Sequence, residues 1–176
     1  MFDLSALEAR VEDYFGADVR RMAHTRRVLA YARQILECEA GNAATVQAAA
    51  LLHDIGIPEA ERKYGTAAGH YQELEGPPIA AKLLRELGAS SELVDVVCRL
   101  VACHHSPGEV DTAEFDVLWD ADWVVNLADE YTGTSEQKLR GAIERIFRTQ
   151  TGKRLAKDTY VGRRGVGAEE QKADGE

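Results

Sequence analysis

The stretch Leu51-Leu52-His53-Asp54-Ile55-Gly56 places a histidine and an aspartate side by side at the end of an otherwise apolar helical segment. Burial of an unpaired carboxylate costs several kcal/mol, so Asp54 needs a strong partner. A neutral imidazole beside a carboxylate is a good ligand pair for a divalent metal ion. Taken alone, the pair also fits a helix end at which Asp54 caps a turn and His53 packs against its neighbours. The rest of the chain decides between these interpretations.

Helical periodicity extends through most of the sequence, and no window alternates apolar and polar residues for long enough to indicate a strand. We therefore predict an all-α fold, a bundle of about six to seven helices. The predicted helices cover approximately residues 5–15, 17–40, 42–54, 77–88, 90–105, 113–131 and 134–147. Residues 59–76 show no clear period, so we predict a long loop or a region of short turns there, and loops of that length are usually functional or mobile.

Residues that favour helix ends support these boundaries. Ser5 begins a capping box, in which a serine and a glutamate three residues later satisfy free backbone amides. Asn42 is a candidate N-cap, and either Ser90 or Ser91 caps a later helix. The pair Pro77-Pro78 predicts the first turn of a helix, because the missing proline amide hydrogen costs nothing there.

Composition limits the class of protein. A chain of 176 residues is long enough for one domain with a sizeable core, which we place at residues 1–157. Beyond Lys157 almost no apolar residue occurs, so residues 158–176 are predicted to be a disordered tail. The net charge of -9 argues against a general nucleic-acid or anionic-membrane surface.

The predicted location is the cytoplasm. The first residues show neither a basic segment nor an apolar run of the kind found in signal peptides, and no apolar run is long enough to span a membrane. The odd number of cysteines without Cys-x-x-Cys spacing is typical of reduced thiols, and we expect them to fill the core: Cys38, Cys98 and Cys103.

Further polar residues fall on apolar helical stripes. His24 lies in line with the predicted buried face of its helix, where a histidine can also be an ordinary core residue. His104 continues the apolar stripe of the helix after Ser90, and His105 continues the adjacent row. Asp122 stands in the middle of the most apolar helix, 113–131, so its carboxylate needs a partner as much as Asp54 does.

These residues form a set that a single ligand would explain. Each would be costly to bury alone, whereas a shared divalent cation pairs the carboxylates and uses the imidazole lone pairs. Either His104 or His105 can complete the set. We therefore predict a metal site built from several helices, with the ligands His24, His53, Asp54, His104 or His105, and Asp122.

The sequence resembles the HD-domain superfamily of metal-dependent phosphohydrolases, over roughly residues 17–131. Its signature is a histidine, then a His-Asp doublet, then a distant aspartate, on a bundle of helices. The matching segments are Met22-Ala23-His24-Thr25-Arg26-Arg27-Val28, Ala50-Leu51-Leu52-His53-Asp54-Ile55-Gly56 and Asp120-Ala121-Asp122-Trp123. The resemblance implies metal ligation by the histidine, both doublet residues and the last aspartate.

Members with two metal ions add histidines between the doublet and the last aspartate, and the segment containing His104 and His105 is similar to such a contributor. Where a histidine would precede the next helix, this chain has Glu75, with His70 five residues earlier. Glu75 can bridge two ions. Ile57 replaces the lysine that often follows the glycine of the doublet motif. The number of ions, one or two, and their identity stay open among Mn, Fe, Mg, Co, Ni and Zn.

The resemblance implies hydrolysis of a small phosphate ester, with a nucleotide as the expected substrate. A bound divalent ion lowers the pKa of its water toward about 7 and polarises a phosphoryl oxygen. Asp54 and His53 are the predicted catalytic residues, since the doublet holds the ion and orients that water. Cations that can bind the phosphate, although each is more often a surface charge, are Arg27, Lys63, Lys82 and Arg85.

Two alternative functions remain at this level. A two-iron version of the same ligand set can activate oxygen, and a metal-stabilised helical module can serve in regulation or interaction. Because the ligand set is intact, the sequence favours an enzyme over a module that has lost its aspartates.

Overall fold

The computed structural model describes residues 2–161 of the chain. Within that range the chain forms nine α-helices and no β-strand, which confirms the all-α prediction. None of these helices is both long and apolar enough to cross a membrane. The helices are α1 Leu4–Phe15, α2 Val19–Leu36, α3 Ala43–Leu52, α4 Ile57–Tyr64, α5 Gly69–Glu86, α6 Ser91–Cys103, α7 Ala113–Glu130, α8 Glu136–Ile146 and α9 Gln150–Tyr160.

Six helices, α1 to α3 and α6 to α8, lie close to their predicted ranges. Asn42 is the N-cap of α3 as predicted, and its side chain accepts a hydrogen bond from the amide of Thr45. Ser90, rather than Ser91, caps α6. The predicted capping box at Ser5 is wrong, because Asp3 caps α1 and its carboxylate accepts from the amide of Ser5 at 2.9 Å.

The predicted loop over residues 59–76 is also wrong, since that segment contains most of α4 and the first two turns of α5. Pro58 stands in the first turn of α4, where a missing amide hydrogen leaves no bond broken. Glu59 pairs with Arg62 and Lys63 on the same exposed side of the helix, at 2.6 and 3.2 Å. The helix is too short for its apolar period to stand out.

Pro77 and Pro78 lie inside α5 instead of opening it. Proline removes a backbone hydrogen bond from a helix interior, so tertiary packing must hold this helix together. A β-carbon at Gly56 would collide with the backbone of α5, and one at Gly76 would lie 2.7 Å from Cγ1 of Val101. The glycine of the doublet motif therefore allows α5 to approach the end of α3 closely.

The core surrounds α3. Every residue from Thr45 to Leu52 except Gln47 is buried, and α3 packs against α1, α2, α6 and α7. Helix α7 packs against α2, α3 and α9 and buries side chains on most of its circumference, as predicted. This packing brings three parts of the chain together: the end of α3, the first half of α2 and the middle of α7.

Helix α9 was not predicted, and it is held by a buried carboxylate. Asp120 of α7 accepts hydrogen bonds from the amides of Arg148 and Thr149 and from the Thr149 hydroxyl, at 2.8, 2.7 and 2.7 Å. The predicted tail begins at residue 158, whereas α9 continues to Tyr160. The rest of that predicted tail, residues 162–176, lies outside the described residues.

Candidate metal centre

The His-Asp doublet lies at the C-terminal end of α3, with His53 as the C-cap. His53 is 1% exposed, and its Nδ1 lies 2.9 Å from the carbonyl oxygen of Ala50. A carbonyl oxygen only accepts, so Nδ1 donates and the neutral ring keeps a lone pair on Nε2. The helix end therefore orients one metal-binding nitrogen away from its own backbone.

The other three predicted ligands of the first set lie close to that nitrogen of His53. Nε2 of His53 lies 3.3 Å from Oδ2 of Asp54 and 3.6 Å from Oδ1 of Asp122. Nε2 of His24, from the first turns of α2, lies 3.3 Å from Nε2 of His53 and 3.1 Å from Oδ1 of Asp122. The structure thus brings together the histidine, the doublet and the last aspartate, from three helices.

The spacing of these atoms fits a shared ion. Ligand atoms that each lie about 2.1 Å from one metal ion are separated by roughly 3.0 Å at right angles and roughly 3.4 Å in a tetrahedron. The five distances that join the two imidazoles to each other and to the two carboxylates, 3.1 to 3.6 Å, lie within this range or at most about 0.2 Å above it. Oδ1 of Asp122 is buried and has no hydrogen-bond partner within the described residues. A cation would satisfy that oxygen.

A second group of ligand atoms shares Asp54. One ligand atom from each of Asp54, His104 and His105 lies within 4.8 Å of the others. His104 is the C-cap of α6, and its Nδ1 contacts the carbonyl oxygen of Val101 at 2.7 Å, as His53 contacts Ala50. Its buried Nε2 has no hydrogen-bond partner in the described part of the chain and lies 3.7 Å from Oδ1 of Asp54.

The electrostatics favour ionised carboxylates. Burial raises the pKa of Asp54, but the nearby His53 and His104 outweigh it and hold that pKa well below its usual value. Asp122 behaves in the same way: its contacts with His24 and His53 outweigh burial and lower its pKa. Both carboxylates are therefore charged at neutral pH, as metal ligation requires.

The pKa values of His53 and His105 are shifted in opposite directions. Burial lowers the pKa of His53, but Asp54 and Asp122 raise it well above its usual value, so protons compete with a cation for this ring. Burial, together with the neighbouring His104, lowers the pKa of His105 to about 4. His105 is thus neutral at neutral pH, and one ring nitrogen carries a lone pair.

Glu75 is not brought to this centre, contrary to the predicted bridging role. Its carboxylate is occupied, because Oε2 lies 2.6 Å from Nζ of Lys63 and Oε1 accepts from the Tyr64 hydroxyl at 2.8 Å. These two contacts lower the pKa of Glu75. Glu75 is also largely buried and lies within α5. Its carboxylate is therefore not a solvent-exposed charge at the start of a helix. The ring of His70 lies tilted by 46° against that of Tyr71, and His70 belongs to neither ligand group.

Two residues of α5 next to the second group were missed by sequence reasoning. The carboxylate of Glu73 accepts from the amide of His105 and from the hydroxyl of Ser106, both at 2.9 Å. Oε1 of Gln72 lies 3.3 Å from Nε2 of His105. Because residues 59–76 are predicted as a loop, the sequence assigns no helical face to them, and no sequence signal connects Gln72 with a histidine 33 residues later.

A cleft of about 510 Å³ reaches the first ligand group. Its lining includes His24 and Asp54 of that group and the cations Arg20, Arg21 and Arg27. Arg21 is engaged by Asp18 and by Glu61 of α4, at 2.9 and 2.6 Å. Of the cations predicted to bind phosphate, Arg27 lines this cleft, whereas Lys63, Lys82 and Arg85 do not.

The comparisons with known proteins agree with this geometry. The family model described as HD domain matches residues 21–143. The crystal structure of a predicted HD superfamily hydrolase from an uncultured Thermotogales bacterium is similar to this chain, with 27% sequence identity and a TM-score of 0.67. The similarity covers 89% of this chain and 84% of that one. The comparison with curated proteins finds no match.

Proposed function

Because the chain belongs to the HD-domain family, we propose that it is a metal-dependent phosphohydrolase acting on a small phosphate ester, with a nucleotide as the favoured substrate. The observation that carries the proposal is that two of the three buried side-chain atoms without hydrogen-bond partners among the described residues, Oδ1 of Asp122 and Nε2 of His104, belong to the two ligand groups; the third is Oγ1 of Thr25. Buried polar atoms are normally satisfied, so both indicate a ligand that the chain itself does not contain.

The residues near the two atoms would supply two metal positions. His24, His53, Asp54 and Asp122 would hold one ion, and His104 with His105 would hold a second beside the same Asp54. Asp54 is suited to contact both, since Oδ2 faces His53 and Oδ1 faces His104. Asp54 would thus take the bridging role predicted for Glu75.

Charge also favours two ions. One divalent ion beside the carboxylates of Asp54 and Asp122 leaves a neutral centre, which attracts a phosphate dianion weakly. Two ions with the same two carboxylates leave a positive centre, in a protein whose net charge is -9. Because Glu75 is not among the ligands, its negative charge does not weaken the attraction between this centre and the phosphate.

The chain's own residues would then act on the substrate as follows. When bound, a divalent ion supplies an acidified water as nucleophile and polarises a phosphoryl oxygen. Asp54 would orient that water, because its carboxylate lies between the two ligand groups. His53 would keep its lone pair on Nε2 through the Nδ1 hydrogen bond to Ala50. Arg20 and Arg27 would receive the phosphate at the side of the cleft.

Phosphate release tests this function directly. The metal-free protein is loaded in turn with Mn, Fe, Mg, Co, Ni and Zn, then assayed against nucleotides and simple phosphate monoesters. We expect metal-dependent turnover that falls by at least about 10³-fold in Asp54→Ala, since a metal ion contributes several kcal/mol to the transition state. The exposed Asp95→Ala on α6 is the matched control and should keep wild-type turnover.

The same assay separates the alternatives. An iron-loaded protein that absorbs in the near ultraviolet and consumes oxygen without releasing phosphate would indicate a diiron oxygenase. Metal binding without turnover of any substrate would indicate a regulatory or interaction module. The predicted cytoplasmic location stays a prediction.

A further inference from the structure

We propose that Gln72 is a positioning residue: its side-chain amide holds His105 in the tautomer with hydrogen on Nε2, which leaves Nδ1 to bind the second ion. The inference rests on the proposed metal function and adds a residue of α5 to it. Ligand histidines usually donate their other ring N–H to an acceptor that fixes the tautomer and the ring orientation. Gln72 would be that acceptor for His105.

The orientation of the Gln72 amide follows from its other contact. Nε2 of Gln72 donates to the carbonyl oxygen of Ala67 at 2.6 Å, and a carbonyl oxygen cannot donate. The amide oxygen, Oε1, therefore faces Nε2 of His105 at 3.3 Å. An amide oxygen also only accepts, so Nε2 of His105 must carry the hydrogen.

Two further residues of α5 keep the His105 ring at this place. A β-carbon on Gly69 would lie 2.8 Å from Cδ2 and 2.9 Å from Cγ of the ring, so only glycine leaves room for it. Glu73 accepts from the backbone amide of His105 and from the hydroxyl of Ser106, both at 2.9 Å. Three contacts thus hold His105 against the first turns of α5. Glu73 accepts from its backbone amide, Gly69 lies against the ring, and Gln72 accepts from Nε2.

His105 differs in this respect from two of the other ring ligands, His53 and His104. His53 and His104 donate Nδ1–H to carbonyl oxygens three residues earlier, at Ala50 and Val101, and offer Nε2. Their tautomers come from the helix end on which they stand. The acceptor for His105 comes from a separate helix, so its tautomer, and with it the second metal position, depends on how α5 packs against α6.

The first test observes the tautomer in the metal-free protein. Nitrogen-15 NMR of the imidazoles distinguishes Nε2–H from Nδ1–H, and His105→Ala assigns the signal. We expect Nε2–H in the wild type and in Gln72→Glu, which keeps an acceptor. Gln72→Met has a similar size without an acceptor and should show mixed tautomers. Nδ1–H or mixed tautomers in the wild type would overturn the inference.

The second test measures metal binding with manganese. Gln72→Met should bind the second ion about 10–100-fold more weakly, as changes beside metal ligands typically do, with the first ion unaffected. Gln72→Glu should bind both ions as the wild type does. Gln34→Met is the matched control, because the exposed Gln34 of α2 also donates to a backbone carbonyl.

The outcomes separate this inference from the proposed function. Equal affinity of Gln72→Met and wild type for the second ion, or a single ion in wild type, would overturn the role of Gln72. Two ions in wild type, weakened as expected by Gln72→Met but without phosphate release, would support the role of Gln72 and overturn the phosphohydrolase. Unchanged melting of the metal-free Gln72→Met protein supports positioning over a general effect on stability.

Discussion

Asp120 and Asp122 lie two residues apart on α7, yet their carboxylates have opposite surroundings. Asp120 is fully buried and accepts three hydrogen bonds from Arg148 and Thr149, which anchor α9. Burial raises its pKa to about 6, against the three hydrogen bonds that favour the ionised form. Asp122 faces His24 and His53 instead, and its Oδ1 has no hydrogen-bond partner within the described residues.

The difference separates a structural carboxylate from a ligand. Residues two apart on a helix point about 200° apart, so one faces α9 and the other faces α2 and α3. The chain itself satisfies Asp120, and removal of that side chain should cost stability. Oδ1 of Asp122 has no hydrogen-bond partner among the described residues, so removal of this side chain should weaken metal binding and lower activity.

The largest expected effect is on turnover. Asp122→Asn removes a negative ligand, and we expect kcat/KM to fall about 10³-fold, because the metal contribution is several kcal/mol. Asp120→Asn is the matched change on the same helix and should stay within a few-fold of the wild type. Steady-state phosphate release at saturating manganese makes the measurement. Equal losses in the two variants would remove the distinction between the carboxylates.

The next effect concerns stability. Asp120→Ala leaves two amides and a hydroxyl without their acceptor, and we expect the free energy of unfolding to fall by about 3 kcal/mol. For a domain of this size, the melting temperature should drop by roughly 6–12 °C. Urea unfolding and thermal melting of the metal-free protein give both values. A variant as stable as the wild type would mean that α9 is held by other contacts.

Metal removal should have a similar but smaller effect. Ligands from three helices bind an ion in the folded state, which contributes about 2.7 kcal/mol at a free metal concentration of 100 times the Kd. Chelation should therefore lower the melting temperature by roughly 5–10 °C. Asp120→Ala should show the same shift as the wild type, and Asp122→Asn, which weakens the first metal position only, should show a clearly smaller one. An unshifted wild-type melting curve would contradict a shared metal site.

The smallest effect tests the fit of α9 against Asp120. A β-carbon on Gly152 would collide with the Asp120 carboxylate, so Gly152→Ala should cost about 1–2 kcal/mol of stability. Gly141→Ala on α8 is the control, because its β-carbon meets only Arg145 Nη1 at 3.7 Å. That variant should gain about 0.5–1 kcal/mol from helix propensity. Thermal melting compares the two, and a stabilised Gly152→Ala would contradict the close packing.

The prediction for Glu75 shows where sequence reasoning failed. Sequence spacing placed Glu75 before a helix that was predicted to begin at Pro77, and a bridging carboxylate was a reasonable use for it. In the structure, α4 brings Lys63 and Tyr64 onto the same carboxylate. Because α4 had been read as a loop, these partners could not be assigned. The role of the Glu75 carboxylate can therefore be assigned only when the helix that carries its partners is known.

The sequence alone determined the helical class, six helix positions and the residues of the doublet site, His24, His53, Asp54 and Asp122. These follow from local patterns, since apolar periodicity and end residues act within a few turns of chain. The His-Asp doublet is local as well, and together with His24 and the distant Asp122 it carried the resemblance to the HD family. Their roles as ligands remain the proposal tested above.

Only the tertiary structure decided which buried polar groups have hydrogen-bond partners supplied by the protein itself. Asp120 and Asp122 look alike in the sequence, and so do His104 and His105, because each pair shares a helix segment and an apolar setting. Their partners stand just before α9, on α2 and on α5, at least 28 residues away for Asp120 and 32 for His105. A hydrogen-bond partner supplied from such a distance is fixed by packing between helices, which no local pattern in the chain records.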